Sequence, residues 1–220
     1  MKNFRNRVEA GQSLATALKT AAEDAIVLAI PRGGAVVGYE IAHALRIPLD
    51  VMVTKKIGAP DNPELAIGAV AEDGTSIVDE ELARRLYVPP SYIREEAERQ
   101  KAEIKRRLAA YRGDMPYPRL ENREVILVDD GVATGSTMKA ALRLLRKKGA
   151  RTITVAVPVG PADTIAELKQ LADRVVCLYT PEMFYAIGEF YQDFEQTSDD
   201  EVKRLLQRNR QELQLKEATA

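Results

Sequence analysis

Residues 125–137 read Val-Ile-Leu-Val-Asp-Asp-Gly-Val-Ala-Thr-Gly-Ser-Thr, and the rest of the chain is arranged about them. Val125 to Val128 are four uninterrupted apolar residues with the chemistry of a buried strand. They end in two adjacent carboxylates, Asp129 and Asp130. Gly131 and the pair Val132-Ala133 lead to Thr134-Gly135-Ser136-Thr137, and a helical pattern begins at Met138. A strand that runs through a small-residue turn into a helix is how α/β proteins hold phosphorylated ligands. Unpaired amides at the helix start, aided by hydroxyls, cradle the anion. Carboxylates at a strand end are costly unless they face water, a metal or a ligand. Such carboxylates accept hydrogen bonds from sugar hydroxyls or face a hydrated metal.

On both sides of this stretch, strands alternate with helices. Residues 8–21 read as a helix with Leu14, Ala15 and Leu18 on one face. Ala25 to Ile30 reads as a buried strand that breaks at Pro31-Arg32-Gly33-Gly34. A second helix carries Val37, Ile41, Ala44 and Leu45 on one face and ends at Pro48. Leu49 to Val53 is the next strand, running into Thr54-Lys55-Lys56. Residues 57–64, IGAPDNPE, have loop chemistry, and 65–71 and 75–78 read as two strands around Glu72-Asp73-Gly74. Asp79 caps a short helix through Leu86. Pro89-Pro90-Ser91 opens a long one to about Tyr111. Its stripe is Ile93, Ala97, Ile104, Leu108 and Tyr111, and Glu95–Arg99 and Glu103–Arg107 have the supporting i,i+4 order. Either this is a solvated helix with one packed seam, or its charged face is a dimer or regulatory surface. After the opening strand and its helix, which stops at Gly149, come a strand at 152–157, a helix at 161–172 and a strand at 174–179. Ser198 and Glu201 form a capping box before a charged final helix. The pattern implies an α/β, doubly wound, mainly parallel sheet, which binds ligands at the carboxyl ends of its strands.

Composition narrows the function classes. The chain has 220 residues, 45% hydrophobic and 30% charged, with net charge −1. That balance fits a globular protein and does not suggest a general nucleic-acid or membrane-surface binder. The one cysteine, Cys177, lies in the apolar run VVCLY and reads as a buried structural thiol. The one histidine, His43, lies mid-helix and reads as structural, so histidine-based catalysis is not expected. MKNFRNRVEAGQ lacks the apolar core of a signal peptide, and no apolar run approaches the ~18 residues of a membrane span. The cytoplasm is the expected compartment.

The motifs resemble those of the type I phosphoribosyltransferases. IPRGG, then TKK with a Pro-rich loop, then VDDGVATGST, arrive in that family's order. The resemblance covers roughly residues 20–197 and implies one phosphoribosyltransferase-like domain over 1–220, with a helical insertion at 79–118 and a hood at 180–197. It implies that Asp129 and Asp130 hold the ribose of phosphoribosyl pyrophosphate (PRPP), while Ala133, Thr134, Gly135, Ser136 and Thr137 form the loop that anchors its 5-phosphate. Arg32, Gly33 and Gly34 would form the pyrophosphate loop, with a cis peptide expected at Arg32–Gly33. Lys55 and Lys56 would neutralise the leaving pyrophosphate, and 57–64 would be a mobile lid; the pair could also be two solvated lysines at an element boundary. Mg²⁺ would be held mainly by PRPP, with Asp129 and Asp130 acting through hydroxyls or water. Phe184, Tyr185, Phe190 and Tyr191 would stack on the acceptor base, although such a cluster is equally the material of a small core. Many purine-type members place an acid where this chain has Ala133, so acid-assisted 6-oxopurine chemistry through that position is in doubt. The implied activity is transfer of ribose 5-phosphate from PRPP to a nitrogen acceptor of nucleobase type, by a homodimer. The alternative is a non-catalytic PRPP- or nucleotide-sensing regulator. No Walker-type GxxxxGK[ST] is present, which disfavours a P-loop NTPase.

Overall fold

The computed structural model describes residues 3–18, 24–70, 76–113 and 117–219. Five parallel strands form the main sheet: β1 (Ile26–Ala29), β2 (Leu49–Val51), β6 (Glu124–Val128), β7 (Thr152–Val159) and β8 (Arg174–Tyr179). Their order is β2-β1-β6-β7-β8, with every neighbouring pair parallel. β1, β2, β6 and β7 are buried and are the near-continuous apolar runs that the sequence shows, while the edge strand β8 is only half-buried.

Alternation along the strands sorts the core into two layers. Val27, Ala29, Ile126 and Val128 face one layer, where helices α1 (Arg7–Ala17) and α2 (Gly33–Leu45) supply Leu14, Val37 and Ile41. Ile26, Leu28, Val125 and Leu127 face the other, with Met138, Leu142 and Leu145 of α5 (Ser136–Lys147) and Ile165 and Leu168 of α6 (Ala162–Leu171). The sheet is therefore doubly wound. From β1 the chain passes through α2 outward to β2, and from β6 through α5 to β7 on the other side. The direction of winding reverses between β1 and β6, whose ends are aligned by the Ala29–Val128 pair. A crevice opens at the carboxyl ends of strands where the order reverses.

The stretch 57–64 is a correction. It is not a loop but belongs to an antiparallel hairpin of β3 (Lys55–Ala59) and β4 (Asn62–Val70), turning at Pro60-Asp61. β5 (Ser76–Val78) pairs with β4 to complete a second sheet of three strands. Pro63 is tolerated because the register shifts on both sides of Gly58, so that Gly58 pairs with Ala66 and Ala59 with Asn62. The turn expected at Glu72-Asp73-Gly74 and the end of the first helix beyond residue 18 lie outside the described residues.

Within 79–118, α3 (Glu80–Arg85) is capped by Asp79, whose carboxylate accepts the Leu82 amide at 2.9 Å. The long helix α4 (Pro90–Arg112) buries Ala97, Ile104 and Tyr111, as its stripe implied. Arg107 pairs with Glu103 as expected, whereas Arg99 takes Glu96, three residues before it, rather than Glu95. At the end of α4, Arg112 forms a buried pair with Asp50 at 2.8 Å and donates to the Val51 carbonyl, which fixes α4 against β2. Helix α7 (Asp199–Thr219) begins at the Ser198 cap, where the Glu201 amide donates to Ser198 Oγ at 3.1 Å. It packs on α2 and α4. Among the described residues no helix is long and apolar enough to cross a membrane.

Candidate active site

The crevice between β1 and β6 holds a cleft of about 470 Å³. Arg32 and Gly33 follow β1, Thr54 follows β2, and Lys55 and Lys56 open β3. Across from them lie Asp129 and Asp130 after β6, then Thr134, Ser136 and Thr137 at the start of α5. The cleft therefore gathers the three motifs that the sequence had kept far apart. Of the other expected residues, Gly34, Ala133 and Gly135 do not line it.

The α5 start has the geometry of an anion cradle. Gly135 adopts φ +72°, a left-handed conformation that costs glycine little. That turn brings the Thr134 and Ser136 hydroxyls within 3.0 Å of each other over the first turn of the helix. Behind it, Thr164 Oγ1 donates to the Ala133 carbonyl at 2.7 Å and holds the loop from α6. The residue at 133 thus contributes its backbone to the loop's support.

The two carboxylates sit in different surroundings. Asp129 Oδ1 accepts the Asp130 amide at 2.8 Å. Burial, and then the neighbouring Asp130 charge, push the Asp129 carboxyl well above the usual carboxylate range. Asp130 is engaged by Arg7, whose Nε donates to Oδ2 at 2.7 Å with both side chains about one-eighth exposed. Arg7 also donates to the Glu195 carbonyl at 2.7 Å and lies 3.9 Å from the Phe194 ring centroid. The glycines of the Pro31-Arg32-Gly33-Gly34 turn are required by this packing. A Cβ on Gly33 would overlap the Asp130 carboxylate and come within 2.8 Å of Arg7 Nε. A non-proline cis peptide is present in this turn, but at Pro31–Arg32, one bond before the expected Arg32–Gly33.

The opposite wall is cationic. Lys55 is half-buried, and burial followed by the charge of Arg107 pulls its ammonium below the ordinary lysine value. Arg107 reaches this wall from α4. Arg32 lies 3.9 Å from Asp199 at the start of α7, and Asp199 also accepts the Tyr111 hydroxyl at 2.7 Å. Burial is the main cause that raises the Tyr111 phenol to about 12, so it remains a donor.

The four hood aromatics divide. Phe190 is fully buried and Tyr191 nearly so, in a small core with Phe4, Ala10 and Val159. Neither presents a face to a ligand, a correction to the expected stacking role. Instead the Tyr191 hydroxyl donates to the Asp130 carbonyl at 2.6 Å and supports the acid turn. Phe184 packs on Phe190 with ring centroids 5.4 Å apart, and Tyr185 is 78% exposed. His43 is remote from the cleft, bonded to Glu212 at 2.8 Å, and the half-buried Cys177 thiol bonds the Tyr179 carbonyl.

Arg7, Thr54 and Arg107 were not foreseen as site residues. Arg7 and Asp130 are 123 positions apart, and no local pattern links them. Arg107 did carry a signal, because it falls three residues after buried Ile104 and four before buried Tyr111, on the edge of the packed seam.

Comparisons with known proteins bear on the family and the fold. A protein of Mycobacterium tuberculosis H37Rv, provisionally named a phosphoribosyl transferase, is 42% identical over 209 residues, 94% of this chain and 47% of its own length. The chain thus spans about half the length of the curated relatives it matches. The crystal structure of TT1426 from Thermus thermophilus is 42% identical and superposes with a TM-score of 0.85 over 93% of this chain and 97% of that one. A ribose-phosphate pyrophosphokinase of Sulfurisphaera tokodaii is 39% identical over 77 residues, 34% of this chain and 24% of its own. The family model described as the phosphoribosyl transferase domain matches residues 6–195, so the chain belongs to the phosphoribosyl transferase family.

Proposed function

We propose that the protein transfers the ribose 5-phosphate of PRPP to a nitrogen acceptor of nucleobase class and releases pyrophosphate. The observation that carries this reading is the single cleft with an anion cradle at one wall, carboxylates at the strand end and Arg32, Lys55, Lys56 and Arg107 along the other. A ligand with a monophosphate at one end, a diol in the middle and a diphosphate at the other has the complementary charge pattern. Thr134, Ser136 and Thr137 hold the 5-phosphate, and Asp129 accepts from the ribose hydroxyls. Asp130, held by Arg7, sets the shape of that wall. The transition state carries oxocarbenium character, by analogy with glycosyl transfer, so no covalent enzyme intermediate is required. The chain's contribution is to position the ribose and to stabilise charge on the departing pyrophosphate.

The donor set fits Mg²⁺ carried chiefly by the ligand. Among the described residues no cluster of three or more metal-ligating side chains exists, and with Arg7 on Asp130 the remaining cleft carboxylate is Asp129. Mg²⁺ favours phosphate and water oxygens with one or two carboxylates, and when bound it would neutralise charge on the pyrophosphate. The proposal takes the protein to be a cytoplasmic homodimer acting on small molecules.

One observation favours a second reading, a PRPP- or nucleotide-sensing regulator. Phe190 and Tyr191 are buried, so two of the four hood aromatics have no face free for an acceptor base. Pyrophosphate release from PRPP and Mg²⁺, measured across a panel of nucleobases and related nitrogen heterocycles alongside PRPP calorimetry, separates the two. Release with at least one acceptor is the expected result. Tight PRPP binding without release supports the regulator, and absence of both rejects the donor assignment. Replacing Asp129 and Asp130 together by Asn is expected to abolish PRPP binding.

A further inference from the structure

We propose that Arg107, supplied by α4, is a direct binding residue for the pyrophosphate end of the ligand, so that the long helix completes the anion cleft. This inference rests on the reading that the cleft takes PRPP. The position of Arg107 is set by packing. Ile104 and Tyr111 are buried in the seam, and Arg107, three residues after one and four before the other, flanks that seam on the rim beside Lys55 and Lys56. Glu103 accepts its Nε at 2.7 Å, and among the described residues its Nη groups have no other hydrogen bond. The fork that best matches a phosphate is therefore held in place by one edge and remains available at the other.

The surroundings point to an anion at this wall. Thr54 is buried beside Lys55, and its Oγ1 makes no hydrogen bond, although buried hydroxyls ordinarily have a partner. Burial and then the Arg107 guanidinium disfavour the Lys55 charge, an arrangement that an arriving anion relieves. The nearby carboxylates are Glu103, on Arg107, and Asp199, on Arg32, so the wall keeps its guanidinium groups ordered by counter-ions at its margin. Arg106 provides a control. It shares the Glu103 carboxylate at 2.9 Å from the same helix but is well exposed and does not line the cleft.

The test is calorimetry with inorganic pyrophosphate, PRPP and ribose 5-phosphate, each with Mg²⁺, on wild type, Arg107→Met, Arg107→Lys and Arg106→Met. Loss of a charge-assisted contact predicts that Arg107→Met weakens PRPP and pyrophosphate by about 10- to 100-fold. Ribose 5-phosphate should change less than about twofold, since it lacks the group that Arg107 binds. Arg107→Lys should recover part of the loss, and Arg106→Met should behave as wild type. The proposal is overturned if Arg107→Met leaves pyrophosphate within twofold, or if ribose 5-phosphate falls equally, which would mark a structural role. If wild type binds pyrophosphate but not PRPP, the donor assignment fails, while a pyrophosphate loss in Arg107→Met still supports Arg107. Binding of none of the three by wild type overturns both.

Discussion

Asp129 and Asp130 are adjacent in the chain yet work under different constraints. Arg7 holds Asp130, while Asp129 bears the cost of burial and of its neighbour's charge. A carboxyl with a folded pKa above its unfolded value binds its proton more tightly in the folded state. The stability it contributes is fully present below the unfolded pKa and is lost as pH rises through the folded pKa. Asp129→Asn removes this loss and keeps the oxygen that accepts the Asp130 amide. The variant is expected to exceed wild type in Tm by ~2–4 °C at pH 8, with the difference shrinking toward pH 4, as followed by thermal melts across pH. An advantage that grew on acidification would refute the burial account. The gain in stability should accompany a loss of ligand binding, because the acid costs stability where the site needs it. The acids themselves were legible, since two carboxylates at the end of VILV need a reason to be there. Their division of labour was not, because it depends on Arg7 and Tyr191, which reach the turn from distant parts of the chain.

At the element scale, strands buried on both faces and helices with one apolar stripe were readable, because burial leaves a periodic trace. The β3–β4 hairpin was not. Gly58, Pro60 and Pro63 have loop chemistry, and only the register shift around Gly58 reconciles them with a strand pair. Helix α7 raises a related point. Its sequence reads as a charged final helix, yet Asn209 is buried and ties it to the main sheet. Asn209 Oδ1 accepts the Leu49 amide at 2.8 Å and Nδ2 donates to the Ile47 carbonyl at 3.2 Å, so one side chain satisfies the backbone where β2 begins. Asn209→Ala leaves both backbone groups without that partner and is expected to cost about 2–3 kcal/mol in urea unfolding. Asn209→Asp, which preserves only the acceptor, should not restore full stability. An effect below about 0.5 kcal/mol, the size of an ordinary surface substitution, would show that α7 is not anchored there.

For the whole molecule, the order β2-β1-β6-β7-β8 puts the anion cradle, the acids and the lysines at one sheet edge. That convergence followed from alternating strands and helices alone. What the pattern could not convey is how the acid turn is braced, because that bracing joins residues at opposite ends of the order of elements. Phe4 forms a parallel bridge with Tyr191, its amide donates to the Phe190 carbonyl at 2.9 Å, and its carbonyl accepts from Gln192 at 2.8 Å. Three positions further on, Arg7 takes Asp130. The segment is thus continuous from the small aromatic core to the acid turn, and the core's integrity should be felt at the site. Phe4 is 3% exposed, so Phe4→Ala removes a buried ring and is expected to cost about 3 kcal/mol, a fall of about 6–12 °C in Tm. The same variant loosens the mount of Arg7, so PRPP affinity measured well below the melt should fall severalfold without any change in a residue that lines the cleft. Arg7→Met should reproduce the loss of affinity. If Phe4→Ala melts early but binds PRPP as wild type does, the aromatic core stabilises the hood without positioning the acids, and the link between the first segment and the site is broken.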